Sequence, residues 1–364
     1  MLKINVCHCS FLLGLAICPV VALAQPVISG VALTGGLFDG QEVVVRGSGF
    51  GDFGGRIISW DDFEQQVVGE SVNGSPAKIG VNWSTQYGYV GEAILFDDER
   101  AVSGNNSVKI DWSKEPNGSN VKAFGWAGQS PISKIYISYW RFMQGDYNPS
   151  DPDNHKQFYL FGSKGEFPQF MPLIPAGQTG WRFYNNVGSS LASGLLEKNS
   201  QRWTWENTNS EFQRWEWFVQ LNSPIDAYNG IVRGWLDGVL GFSYDDYRVR
   251  YVDGTFDDFR LGHMAAGFTD TAKAWFDDIY TATTPARVEI CAARIWSECG
   301  KTKTIQIPEP DKWHDDSIVV KLRGVDKFSV RSSYLYVVDA EGNVSEPFGL
   351  NTLAAPEPPD LKVD

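Results

Sequence analysis

Asn229-Gly230-Ile231-Val232-Arg233-Gly234-Trp235-Leu236-Asp237-Gly238, followed by Phe259-Arg260-Leu261-Gly262 and Ala274-Trp275-Phe276-Asp277-Asp278-Ile279-Tyr280, decides the fold. Each run is short, rich in aromatic and β-branched residues, and bounded by glycine or asparagine, which is the signature of strands rather than helices. A period of two places Arg233, Trp235 and Asp237 on one face of their strand. Working outward, similar runs recur at Ser107 to Asp111, Lys134 to Phe142, Gln157 to Phe161, Gly180 to Tyr184 and Arg214 to Leu221. The chain holds 22 Phe, 14 Trp, 14 Tyr and 37 Gly against 4 Met. No apolar helical stripe persists over several turns, and the nearest, around Ser189 to Lys198, is short. The expected class is all-β.

Lys3 followed by the apolar run Phe11 to Ala24, ending Ala22-Leu23-Ala24, has the order of a secretory signal peptide over residues 1–24. The run is too short for a membrane-spanning helix. Cleavage there removes Cys7, Cys9 and Cys18 and leaves Cys291 and Cys299. In an oxidising compartment that pair is expected to form a disulfide stapling a turn. A zinc site would need further soft ligands, for which His314 alone is near in sequence. The net charge of −13 disfavours nucleic acid and anionic membranes as partners.

The quoted runs resemble the last strands of concanavalin A-like jelly-roll sandwiches, a group that includes lectins, laminin G-like modules and polysaccharide lyases. The resemblance covers residues 57–284 and implies a sheet that faces an extended glycan. Outside it, Pro26 to Val31, Gln41 to Arg46 and Gly47-Ser48-Gly49-Phe50-Gly51 resemble the opening of an IPT/TIG immunoglobulin-like domain. Trp313-His314-Asp315-Asp316-Ser317-Ile318 and Val338-Asp339 with Glu341-Gly342-Asn343 look like its later strands. Residues 25–56 and 285–350 are therefore expected to form one small Ig-like β-sandwich, discontinuous because the jelly roll is inserted into it. Two separate β-units flanking the middle remain the alternative. Residues 351–364, rich in proline and charge, read as a tail.

Three functions stay open: a secreted polysaccharide-binding protein, a polysaccharide lyase acting on a uronate glycan, and a non-catalytic structural or adhesive surface protein. Alternation places His155, Gln157 and Tyr159 on one side of their strand, with Lys156, Phe158 and Leu160 on the other. That face resembles the concave strand of alginate-lyase-type jelly rolls, which implies His155 and Tyr159 as proton-abstracting groups and Gln157 as carboxylate neutraliser. The order here is reversed from the family's Gln-x-His, and its Arg-rich early strand and late Tyr-x-Lys-x-Gly-x-Tyr strand are missing. Arg182 with Tyr184, and Arg233 with Trp235, combine a guanidinium with an aromatic ring and suit a carboxylate or sulfate; an Arg bonded to a neighbouring Asp is the alternative. Trp203 and Trp205 share a face among polar residues and are the expected stacking platform, whereas Trp215 and Trp217 read as core. Acidic charge overall favours neutral glycans, unless a local arginine cluster outweighs it.

Retaining hydrolysis has no Glu-x-Asp-x-x-Glu strand to supply its carboxylates, and Glu206, Glu211 and Glu216 read as solvated. A serine triad has no Gly-x-Ser-x-Gly elbow. The loop holding Asp146, Asp151 and Asp153 offers hard oxygen ligands that would suit calcium as a cofactor.

Overall fold

The computed structural model describes residues 25–33, 38–86, 94–111, 123–144, 155–162, 166–174, 182–184, 186–187, 190–191, 211–262, 273–325 and 332–352. The proposed signal peptide, the Asp146, Asp151 and Asp153 loop, Trp203 and Trp205 lie outside them, as does the tail from residue 353 onward. The protein is all-β, built of antiparallel sheets. No helix of the described residues is long and apolar enough to cross a membrane.

The larger sheet has nine strands. At its centre Lys134–Gln144 lies between Gln213–Gln220 and Lys273–Ala282. Beyond Gln213–Gln220 come Gly230–Leu236 and Val239–Tyr247. Strict alternation sets its two faces. Ile135, Ile137, Tyr139 and Met143, with Trp215, Trp217 and Val219, join the main core, while Tyr136, Phe218 and Tyr280 face the opposite way. Trp215 and Trp217 stack at 6.4 Å within that core, as their pattern predicts. Asp237 (φ 50°) and Gly238 (φ 76°) close the hairpin between paired Leu236 and Val239. Positive φ at both central residues matches the twist of the flanking strands, and only an Asp-Gly-type pair adopts it cheaply.

A seven-stranded sheet covers the core from the other side. Phe158–Gly162 pairs with Glu166–Ile174 and Asp258–Leu261, and the latter with Ala123–Trp126. Its inward residues, among them Phe124, Trp126, Phe158, Phe170 and Phe259, complete the sandwich core. Burying such rings contributes roughly 2–3 kcal/mol each.

The N-terminal strands do not belong to either sheet. Val27–Leu33 pairs with Glu42–Ser48, which pairs in turn with Ser317–Lys321, Glu42 opposite Lys321 and Val45 opposite Ile318. The same seven-stranded array continues through Thr304–His314, Arg287–Cys291, Tyr334–Val338 and Phe348–Gly349. Val43, Val45 and Phe50 share a core with Val288, Trp313, Ile318 and Val337. The glycine-rich segment lies on the Trp313 turn: Trp313 Nε1 donates to Phe50 O (3.3 Å), and Gly51 N donates to Asp315 Oδ1 (3.0 Å). Cys291 and Cys299 are disulfide-bonded. This array packs on the outer face of the nine-stranded sheet, where Ile305 and Ile307 meet Trp60, Tyr136, Phe218 and Tyr280.

Candidate functional site

The strand carrying the predicted lyase-like face is interrupted. His155–Lys156 and Phe158–Gly162 are separate pairings, with Gln157 between them. Gln157 N donates to Pro172 O (2.9 Å). Its side chain points between the sheets, where its Oε1 accepts from Tyr139 Oη (2.7 Å) and Arg141 Nη1 (2.8 Å). A buried amide with charged and phenolic partners is an interior hydrogen-bond hub and does not face a ligand. The predicted alternation therefore slips at one residue. Gln157 and Phe158 both turn inward, while Lys156 reaches the outer side, its Nζ 5.4 Å from the Tyr159 ring. His155 pairs with Ile174 at the strand end; its side chain lies outside the described residues.

Beyond Gln157 the period of two resumes. Tyr159 and Phe161 emerge on the outer face, stacked at 4.6 Å and 9° between planes. They cluster with Met171 and Leu173, apart from the main core. Register places Arg260 directly opposite Tyr159 on the neighbouring strand. The Arg260 guanidinium lies 4.7 Å over the Phe161 ring, and its Nε donates to Asp258 Oδ1 (2.8 Å) in a two-pronged pair whose second prong joins Nη2 and Oδ2. Burial lifts the Asp258 carboxyl above its ordinary range despite the Arg260 beside it. Arg182 and Tyr184 pair with Leu173 and Met171 two strands away in the same sheet; their side chains are outside the described residues. One sheet thus gathers Tyr159, Arg260, Asp258 and Phe161, with the Arg182 and Tyr184 strand at its side. These outer-face residues are nearly covered, Tyr159 being 5% and Arg260 4% exposed.

Arg260 escaped the sequence reading as a site residue because its segment reads as a fold signature. Its partnership with Tyr159 is a matter of nonlocal register, about which the local pattern says nothing.

Arg233 and Trp235 lie elsewhere. Their strand belongs to the nine-stranded sheet, and both residues line a cavity of about 110 Å³ facing the N- and C-terminal array. Arg233 Nη2 pairs with Asp245 Oδ1 at 2.8 Å, in the manner of an arginine bonded to a neighbouring aspartate. Behind them sits a buried ionic cluster. Arg214 donates to both oxygens of Glu289 (2.8 and 3.2 Å), Arg287 Nε also donates to Glu289, and Tyr136 Oη donates to Glu216 Oε1 (2.7 Å). Glu216 is 1% exposed and so is no solvated carboxylate, which corrects the sequence expectation; Glu211 is exposed and pairs with Lys301 at 2.6 Å. Burial raises Glu289, but Arg214 and Arg287 outweigh it and hold the carboxyl well below its usual range. The signal missed here was alternation itself, since Arg214, Glu216 and Phe218 share the face opposite Trp215 and Trp217.

Neither a protein-family model nor a curated protein matches the sequence. Similar solved structures include an endo-β-1,4-glucuronan lyase from the fungus Trichoderma reesei, at 14% identity and TM-score 0.41 over 53% of this chain and 87% of that one. The cellulose-induced protein Cip1 is similar at 17% identity and TM-score 0.39, over 62% and 97%. The alginate lyase Aly36B is similar at 8% identity and TM-score 0.44, over 61% and 95%. Likeness at this level concerns strand arrangement, and a shared β-sandwich arrangement does not transmit chemistry.

Proposed function

We propose that this is an exported polysaccharide-binding protein whose middle sandwich, residues 57–284, presents the outer face of its seven-stranded sheet to a carboxylated glycan. On this reading residues 25–56 and 285–350 form the host module that displays it. The observation that carries the reading is the Tyr159–Arg260 cross-strand pair beside the stacked Phe161 ring. A guanidinium held by a carboxylate on one edge and an aromatic plane on its face is fixed in orientation, as carboxylate recognition requires. Aromatic rings next to it suit the apolar face of a sugar.

The same pair supports a second reading, β-elimination on a uronate glycan. Beside a cation Tyr159 would act as the phenolate, taking the C5 proton while the cation neutralises the uronate carboxylate; the C4–O bond then breaks, and the phenol returns the proton to the leaving oxygen. With Gln157 turned into the core, the neutralising role passes to Arg260 and the base role to Tyr159.

One experiment separates these readings from a purely structural role. The mature protein is incubated with alginate, glucuronan, cellulose and xylan, following unsaturated-uronate absorbance and co-sedimentation together. Binding to the acidic glycans that Arg260→Ala reduces tenfold or more (about 1.4 kcal/mol) supports the binder. Rising absorbance that Tyr159→Phe abolishes supports the lyase. Neither signal on any glycan refutes both and leaves the structural role.

A further inference from the structure

On the far side of the nine-stranded sheet, the cavity between Trp235 and Trp296 carries chemistry that the proposed glycan face does not use. Five charged side chains are buried at or behind it: Arg214, Arg287 and Lys303 against Glu216 and Glu289, one cation in excess. The two arginines are engaged with the two glutamates. Lys303, 2% exposed, has no hydrogen-bond or ion-pair partner for its ammonium among the described residues. That ammonium sits 3.6 Å from the Trp296 ring. Glu216 Oε2 is likewise buried without a hydrogen-bond partner among them. Burial lowers the Lys303 ammonium below the ordinary lysine range, against the pull of Glu216 and Glu289. Arg233, partly exposed and adjacent to Gly342, adds a cation at the edge of the cavity.

We propose that this cavity is a second binding site, for the end residue of an acidic sugar: its carboxylate on Lys303 and Arg233, a hydroxyl on Glu216 Oε2, and its ring against Trp235 and Trp296. A buried cation with no anion bonded to it among the described residues calls for an anion, and a buried carboxylate oxygen with no donor among them calls for a donor. A hexuronate offers both, whereas sulfate offers no hydroxyl and a neutral sugar no charge. The disulfide loop completes the wall, because Trp296 lies between Cys291 and Cys299 and packs at 5.1 Å on Tyr336. The site does not rest on the sheet-face reading above, since the two lie on opposite sides of the nine-stranded sheet.

The test titrates the full mature chain with free glucuronate, glucose and sulfate, following tryptophan fluorescence and calorimetry. Glucuronate is expected to bind about tenfold or more tighter than either comparator, a preference typical of one charge-assisted contact. Lys303→Met is expected to erase the preference over glucose, and Trp296→Leu to weaken both sugars. Arg260→Ala, in the other face, is expected to leave the titration unchanged, which keeps failure of one reading distinct from failure of the other. Should Lys303→Met not fold, Lys303→Arg must keep the preference. No glucuronate binding, equal binding of glucose or sulfate, or a preference that survives Lys303→Met overturns the proposal.

Discussion

Replacing Glu289 with glutamine keeps the shape of the buried cluster and removes one negative charge. Glu289 is fully buried and receives both prongs of Arg214, at 2.8 and 3.2 Å, together with Arg287 Nε. After the change Arg214, Arg287 and Lys303 face Glu216 alone, three cations against one carboxylate. Breaking a buried pair from one side costs about 3–5 kcal/mol, because the remaining charge stays desolvated. For a chain of this size that corresponds to a fall in Tm of roughly 4–7 °C. Unfolding at pH 7 by heat and by denaturant, followed by tryptophan fluorescence, measures it. The acid limb provides a second check. The Glu289 carboxyl is depressed below its ordinary value of 4.5, so its contribution is complete above that value and is lost as pH falls toward the folded pKa. The gap between wild type and Glu289→Gln should therefore narrow in acid. A Glu289→Leu/Arg214→Met double variant should recover part of the loss, since apolar replacement of both partners removes the stranded charge. A single variant within about 1 kcal/mol of wild type, against the expected 3–5, would falsify the reasoning. So would a gap that stays constant from neutral to acid pH.

Asp61 behaves in the opposite sense. Burial lifts its carboxyl from 3.8 to about 6, against hydrogen bonds from Trp83 Nε1 (2.7 Å) and Phe63 N (2.9 Å). Its stabilising influence is complete below the unfolded value and declines as pH rises through 6. Wild type should lose up to about 3 kcal/mol relative to Asp61→Asn over that span; parallel pH profiles would count against this. Reducing the Cys291–Cys299 bridge, or replacing both cysteines with serine, should cost about 2–3 kcal/mol, the loop entropy of a sequence separation of 8. Denaturant melts with and without reductant measure it, and coincident curves would exclude it.

Much of the fold was legible because strand chemistry is local. The Asp237-Gly238 turn, the inward Trp215 and Trp217, and the cysteine pair all follow from a few adjacent residues. The candidate site was legible only in pieces. Alternation states which residues share a face, but not which face meets solvent, core or a second module. Arg233 and Trp235 do share one, and it faces the terminal array rather than the seven-stranded sheet. Gln157 shows the other failure. A single interruption, bought by two buried hydrogen bonds to Tyr139 and Arg141, reverses the direction of a polar side chain. Arg260 meets Tyr159 and Phe161, and Lys303 shares its cavity with Glu216 and Trp235, from far along the chain, so their near neighbours Asp258 and Trp296 alone do not reveal the arrangement.

The pairing of Glu42–Ser48 with Ser317–Lys321 has a consequence for how the chain comes to be folded. Val43 and Val320 are opposite one another, yet the whole middle sandwich is threaded between them. The early hairpin can pair within itself, but the outer edge of Glu42–Ser48 must wait until residues beyond 317 have been delivered. The middle sandwich draws its strands from one uninterrupted stretch and needs no such wait. Assembly in that order lets the finished sandwich hold the two chain ends near each other, which shortens the effective loop that the last pairing must close. A chain truncated before residue 317 would lose more than its C-terminus: the N-terminal hairpin of Val27–Leu33 and Glu42–Ser48 would be left with one edge unpaired.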